Sequence, residues 1–308
     1  MVDRAVSRRG VLRAGGVAGA AALSGCGLLS SGSDLGGSRT GYATWVPEAG
    51  ALHGFESTIA NFQHYDQLRD HEAALSYDLD SLIEEHRPDV GGVSTNDTDG
   101  LITTNGTMIL TGSFDAEAFV DEFTSLEEWS RADSYSGYEF VVADEQEYTY
   151  AVDASALLFT RSVEGAKTLI DVNSGATDGA TQTSDAFARL VDALGTATYG
   201  RLYIDYRYDE SETSALTTGT WFGQAMTVEG KTTTFDFVYL VDGEPETEAV
   251  EQLLTDVEAH DVSGVDNSVS SNTIEVTGSF ETAKLTQDLT DLTLGDAYSL
   301  VYPLPGGN

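Results

Sequence analysis

The sequence predicts an α+β chain built from two related β-α-β-β-α-β modules, with antiparallel-rich sheets and helices on one face. Three observations carry this reading. Period-two alternation marks strands, stripes at i, i+3, i+4 and i+7 mark amphipathic helices, and one segment recurs. Residues 108–123 read MILTGSFDAEAFVDEF and residues 274–289 read IEVTGSFETAKLTQDL. Each runs from an apolar strand through Thr-Gly-Ser-Phe and an acidic residue into a helical pattern, which is how an internal repeat announces itself.

The elements follow in order. Strand alternation is clearest at 106–114, at 148–152, at 202–208 (Leu202, Ile204, Tyr206 and Tyr208 on one side) and at 235–241. Leu75, Leu79, Leu82 and Ile83 predict a helix ended near Pro88; Ala116, Phe119, Val120 and Phe123 predict a second. Phe187, Leu190, Val191 and Leu194 predict a third, with Ser184 as N-cap and Gly195 as stop. Val250, Leu253, Leu254 and Val257 predict a fourth, opened by Pro245-Glu246. Aligning the two halves on the repeat gives strand 42–46, helix 66–86, strands 90–96 and 100–113, helix 115–127 and strand 138–143 for the first module. The second has strand 232–241, helix 246–260, strands 263–269 and 272–279, helix 281–290 and strand 297–302. This is the split βαβ order of ferredoxin-like folds. The expected organisation is residues 1–26 as an export signal, 27–41 as a tether, 42–160 as the first module and 161–308 as the second.

Charge narrows the function. Acidic residues number 51 against 15 basic ones, a formal net charge of -36, and 41% of the 308 residues are hydrophobic. Because the acids interleave with apolar periods, the chain reads as a folded body with an acidic surface rather than as a disordered one. Nucleic acid and anionic lipid surfaces would be repelled, so neither is an expected partner of the body. Only three lysines occur, Lys167, Lys231 and Lys284. Few lysines among many carboxylates resemble the proteins of halophilic archaea.

The N-terminus reads as an address. Ser7-Arg8-Arg9-Gly10-Val11-Leu12 resembles a twin-arginine export signal. The Gly/Ala-rich stretch from Ala14 to Leu23 is too short to span a bilayer, which takes about 20 residues, and suits a signal h-region. Leu23-Ser24-Gly25-Cys26 then resembles the lipobox of bacterial and archaeal lipoproteins. The resemblance implies export in the folded state, cleavage before Cys26 and a lipid on its thiol, leaving the chain anchored to the cell membrane and facing outside. Cys26 is the sole cysteine, so no intramolecular disulfide forms. Residues 27–40 (GLLSSGSDLGGSRT) read as a flexible tether. As a whole the sequence is similar to haloarchaeal lipoproteins of undefined role, which implies no activity.

Several motifs carry candidate chemistry. Asn96-Asp97-Thr98 and Asn105-Gly106-Thr107 are glycosylation sequons, making Asn96 and Asn105 candidate glycan sites. His53, His64, His71 and His86 cluster in sequence; His64 and His71 would share a helix face, but no compact zinc-ligand motif accompanies them. Asp97-Thr98-Asp99-Gly100 and Asp171, Asn173 and Asp178 are oxygen-rich segments without the rest of an EF-hand loop. Gly230-Lys231-Thr232 ends like a phosphate loop, yet Ala225 stands where that motif needs glycine and strand patterns flank it, so it reads as a hairpin turn. There is no G-x-S-x-G elbow. No catalytic, metal or cofactor set is assigned. The expected function is a non-enzymatic, membrane-anchored lipoprotein with a binding, scaffolding or envelope role. A small-ligand or cation sensor and an extracellular metal-dependent hydrolase are the alternatives, and the protein or small-molecule partner is left open.

Overall fold

In a computed structural model of the chain, twelve strands join one sheet in which every neighbouring pair is antiparallel. The structure describes residues 41–54, 58–88, 93–143, 148–204, 221–241, 243–245, 247–259 and 262–285. The strands are β1 (Thr58–His64), β2 (Thr98–Thr104), β3 (Thr107–Gly112), β4 (Trp129–Tyr135), β5 (Tyr138–Ala143) and β6 (Thr149–Val152). They continue with β7 (Ala156–Thr160), β8 (Tyr199–Ile204), β9 (Trp221–Glu229), β10 (Thr232–Leu240), β11 (Ser263–Ser270) and β12 (Thr273–Glu281). The helices are α1 (Tyr65–Arg69), α2 (Leu79–His86), α3 (Ala116–Thr124), α4 (Val163–Ser174), α5 (Ala180–Thr183), α6 (Asp185–Leu194) and α7 (Thr247–Ala259).

The expected pair of ferredoxin-like modules is therefore not what forms. In a split βαβ unit the two strands joined by a helix lie either side of an intervening strand, whereas here β1-β2-β3 and β8-β9-β10 lie side by side as meanders within one twelve-stranded sheet. The strand order is β11-β12-β10-β9-β8-β1-β2-β3-β7-β6-β5-β4. The helices also lie on both faces. One core joins Leu68, Ile83, Phe119, Phe123 and Leu253 to Leu110, Phe222, Phe237 and Val276 of the sheet. The other joins Leu169, Phe187 and Leu190, with Tyr42 and Trp45, to Phe62, Ile109, Leu158 and Val238. The physical reason is legible in the strands. Leu101-Ile102, Ile109-Leu110 and Leu157-Leu158 are consecutive apolar residues pointing to opposite faces, and all six are buried. A sheet apolar on both sides must be covered on both sides.

A repeat does exist, in another register. β1, β2 and β3 form a meander; the chain crosses one face as α3 and returns so that β7 pairs with β3. β8, β9 and β10 form a second meander; the chain crosses the same face as α7 and returns so that β12 pairs with β10. The halves meet where β1 pairs antiparallel with β8, as they would about a two-fold axis normal to the sheet. The Thr-Gly-Ser-Phe segments hold different places in this scheme. The first ends β3, before the crossing helix, while the second lies inside β12, after it. Even their glycines answer different needs: a Cβ on Gly112 would sit 1.9 Å from the Asp97 carbonyl oxygen, and one on Gly278 would sit 2.4 Å from the Phe235 ring.

Other expectations shift locally. Residues 42–46 open as a 3-10 turn (Gly41–Trp45) rather than a strand. The expected helix 66–86 breaks into α1, a 3-10 turn at Glu72–Ala74 and α2, because Asp78 caps a fresh start by accepting from the Ser81 N–H at 2.7 Å. The turn between β2 and β3 falls at Asn105-Gly106, both with positive φ (45° and 75°), the conformation that makes Asn-Gly a strong hairpin signal. The α6 reading holds, with Ser184 accepting from the Phe187 N–H at 3.3 Å and Gly195 at the C-cap. The expected strand at 297–302 and the second half of the expected helix 281–290 lie outside the described residues; residues 281–285 end β12 and form a 3-10 turn at Thr282–Lys284. At the sheet's two edges, β4 and β11 each carry a register shift, between Ala132 and Tyr135 and between Ser263 and Asp266. Such bulges discourage edge-to-edge pairing.

Candidate functional site

The seam between the halves carries a polar island. On the face shared with α3 and α7, β1, β8 and β9 present Asn61, Arg201 and Gln224 directly opposite one another, and Thr103 of β2 extends the row. Around it that face is apolar: Leu101, Tyr203, Phe222 and Met226 all belong to the buried core. Thr103, Asn61 and Arg201 are bonded in turn. Asn61 donates through Nδ2 to Thr103 Oγ1 at 2.9 Å and accepts at Oδ1 from Arg201 Nε at 2.6 Å. The Arg201 guanidinium also lies over the Tyr203 ring, 5.8 Å from its centre.

One step along the strands, Gln63 stands opposite Tyr199, which stands opposite Met226. The Gln63 Oε1 atom is buried without a hydrogen-bond partner. The Tyr199 hydroxyl pairs with that of Tyr77, and burial, aided by Tyr77 and Tyr65, pushes its pKa well up, so it remains protonated. Asn61, Gln63, Tyr199, Arg201, Gln224 and Met226 frame a cavity of about 50 Å³, floored by Phe62 and Gly200. A cavity of this size holds a few waters or a single functional group. Ser76 donates through Oγ to the Leu285 carbonyl and so ties the α1–α2 connection to the end of the second half.

None of this island was singled out from the sequence. The alternation read at 202–208 starts one residue after Arg201 and takes Leu202 as its apolar side. A signal was present: Asn61, Gln63, Arg201 and Gln224 are polar residues at alternate positions inside strands whose neighbours are apolar.

The sequence-predicted residues fall elsewhere. Arg8, Arg9 and Cys26 lie outside the described residues. Asn96 is exposed in a 3-10 turn (Thr95–Asp97). Asn105 is buried, 8% exposed; its Oδ1 accepts from the Ile59 N–H at 3.1 Å, and its Nδ2, the atom a sugar would join, is inaccessible. In the folded chain Asn105 is a turn residue with a buried side chain.

The histidines do not converge. His64 ends β1, buried edge-on to Phe62 with ring centres 5.6 Å apart; burial lowers its pKa although Asp66 opposes this. His71 lies beyond the short α1, so the shared helix face is not formed. His86 bonds through Nδ1 to the Leu82 carbonyl at 2.9 Å. His53 is exposed at φ 53°, its pKa lowered first by partial burial and then by Arg161. The acidic segments are also engaged locally. Asp97 Oδ2 accepts from Ser94 Oγ at 2.7 Å, and the Asp99 carboxyl is raised by burial, with the Asp66 charge adding to this. Asp171 accepts from the Tyr135 hydroxyl at 2.8 Å, and Asn173 from Thr44 Oγ1 at 2.8 Å. Among the described residues no group of three or more His, Cys, Asp or Glu could hold a metal ion. Gly230-Lys231 forms the β9–β10 hairpin turn.

Among the described residues no helix is long and apolar enough to cross a membrane. No protein-family profile matches the chain, and no curated protein matches it. Among solved structures it is similar to crystal form I of TP0453, with a TM-score of 0.47 and 9% identity over 86% of this chain and 97% of that one. It is also similar to crystal form III of TP0453, with a TM-score of 0.46 and 8% identity over 77% of this chain and 94% of that one. At such identities the likeness says nothing of what this chain binds or does.

Proposed function

We propose that the chain is a twin-arginine-exported lipoprotein, cut before Cys26, lipid-anchored there, and displaying its acidic body outside the membrane in a non-enzymatic binding, scaffolding or envelope role. One observation supports the geometry of this reading: Tyr42 is already fixed in the core. Tyr42 and Trp45 are buried at 1% and 5% exposure, and the Tyr42 ring stacks on Phe62 with centres 3.8 Å apart. Only residues 27–41 separate that fixed point from Cys26. A Gly/Ser-rich segment of that length reaches at most about 50 Å and averages about 20 Å end to end. A lipid on Cys26 would hold the sheet within that distance of the membrane.

Cys26→Ser is expected to move the protein from the membrane fraction to the soluble fraction, read by fractionation and immunoblot. Arg8→Lys with Arg9→Lys is expected to leave an uncut precursor in the cytoplasm. Membrane retention of Cys26→Ser would overturn the anchor, and unchanged export of the double variant would overturn the route.

The seam cavity favours a second reading, in which the body binds a small ligand. The hydrolase alternative needed His64, His71 and a carboxylate to meet; among the described residues no such group forms, and that reading is not carried forward.

A further inference from the structure

We infer that the aromatic patch at the β4 end of the sheet is a recognition surface for a small organic cation bearing a quaternary ammonium group; the inference is independent of the anchor and of the seam cavity. Strand register builds the patch. Met108 of β3, Phe159 of β7 and Tyr150 of β6 stand directly opposite one another, on the face crossed by α3. The Trp129 ring of β4 lies 5.3 Å from Tyr150, and the Tyr148 ring stacks on Phe159 at 5.3 Å. Phe123 of α3, itself buried, holds Trp129 at 4.9 Å and Tyr150 at 4.8 Å. Above that base the rings reach the surface. Trp129, Tyr150 and Phe159 are half-buried, and Tyr148 is 39% exposed. Leu126, 45% exposed, stands at the turn into β4, where its carbonyl accepts from the Trp129 N–H at 3.2 Å. Three large apolar side chains are exposed among the described residues, and two of them meet here, which marks the patch as more than scattered surface.

The surrounding charge selects the occupant. Asp121 and Glu122 of α3, and Glu127 and Glu128 on the turn leading into Trp129, are all exposed. Arg131, two residues after Trp129, is already paired with Glu139 at 2.7 Å. Arg161, just past β7, reaches toward the Asn105-Gly106 turn, where its Nη2 would lie 3.8 Å from a Cβ on Gly106. The carboxylates repel an anion, whereas a cation is drawn both by them and by the ring faces. The rings decide which cation. In molar salt the exposed carboxylates are screened and surrounded by sodium, a strongly hydrated ion with no affinity for an apolar surface. A quaternary ammonium carries its charge under methyl groups, so it can rest on indole and phenol faces without an unpaired donor. Because the rings are packed on Phe123 before anything binds, little ordering is left to offset.

The test is an NMR titration of the full chain in molar sodium chloride. Choline chloride replaces sodium chloride at constant ionic strength, and the neutral alcohol in which carbon replaces the choline nitrogen is titrated as the uncharged isostere. The expected result is saturable movement of the Trp129 indole N–H and Tyr148 ring resonances with choline. The alcohol should bind at least about fivefold more weakly, the factor expected for losing a cation–π contact at a partly exposed site. Trp129→Leu should abolish the response. Tyr148→Ala, at an exposed position, should weaken it and serves if Trp129→Leu does not fold. Glu127→Gln with Glu128→Gln should weaken choline binding and leave the alcohol unchanged. Equal binding of choline and the alcohol would overturn the cation assignment while leaving an apolar patch. An absence of movement at both rings, or a full response in a folded Trp129→Leu, would overturn the site itself.

Discussion

Phe62→Ala is expected to destabilise the chain by about 3–5 kcal/mol, the range for deleting a buried aromatic ring. Phe62 lies in β1, 2% exposed, and its ring passes over Gly200 of β8, directly opposite. A Cβ on Gly200 would stand 1.9 Å from the ring carbon Cε1. Gly200→Ala should therefore also destabilise, by about 1–3 kcal/mol, through overpacking. The diagnostic is the pair. With the ring removed, the methyl of Gly200→Ala has space, so the double variant should be about as stable as Phe62→Ala alone, a coupling readable by chemical denaturation at molar salt. Because β1 and β8 join the two halves, each variant should lower the midpoint of a single cooperative transition. Additive effects would mean the ring does not sit over Gly200, and two separate transitions would mean the halves do not share one sheet.

The second large effect is that of salt. The melting temperature is expected to rise by about 10 °C or more between 0.1 M and several molar sodium chloride, as screening lengths fall from about 10 Å to under about 3 Å. The structure locates some of the strain. Asp99 is raised by its own burial and by the Asp66 and Asp97 charges, with only Arg69 opposing. Ion pairs such as Arg131–Glu139 at 2.7 Å and Lys167–Glu164 at 2.9 Å are exposed, and surface pairs of this kind contribute little. A flat melting curve across that range would remove salt adaptation as the meaning of the -36 charge.

Some element identities were legible in the sequence, and their partners were not. Phe187, Leu190, Val191 and Leu194 with Ser184 and Gly195 gave α6 nearly to the residue, because caps and periodicity are local signals. Which strand lies beside which is a non-local choice, and alternation reads the same in a meander and in a βαβ unit. Matching on Thr-Gly-Ser-Phe put β3 over β12 and produced the ferredoxin-like order; the operative repeat is two meanders, each followed by a crossing helix. Two signals could have corrected it. Asn105-Gly106 marks the β2–β3 hairpin, and the paired apolar residues of β2, β3 and β7 call for cover on both faces. The seam site was harder to see, since Asn61, Arg201 and Gln224 are far apart in sequence and meet only through strand register.

The most direct test of the proposed function is the intact mass of the protein extracted from native membranes. The expected mass begins at Cys26 and carries a lipid increment, and any sugar at Asn96 or Asn105 would add to it. A mass beginning at Met1 or Val2 with no lipid would contradict export, cleavage and anchoring together.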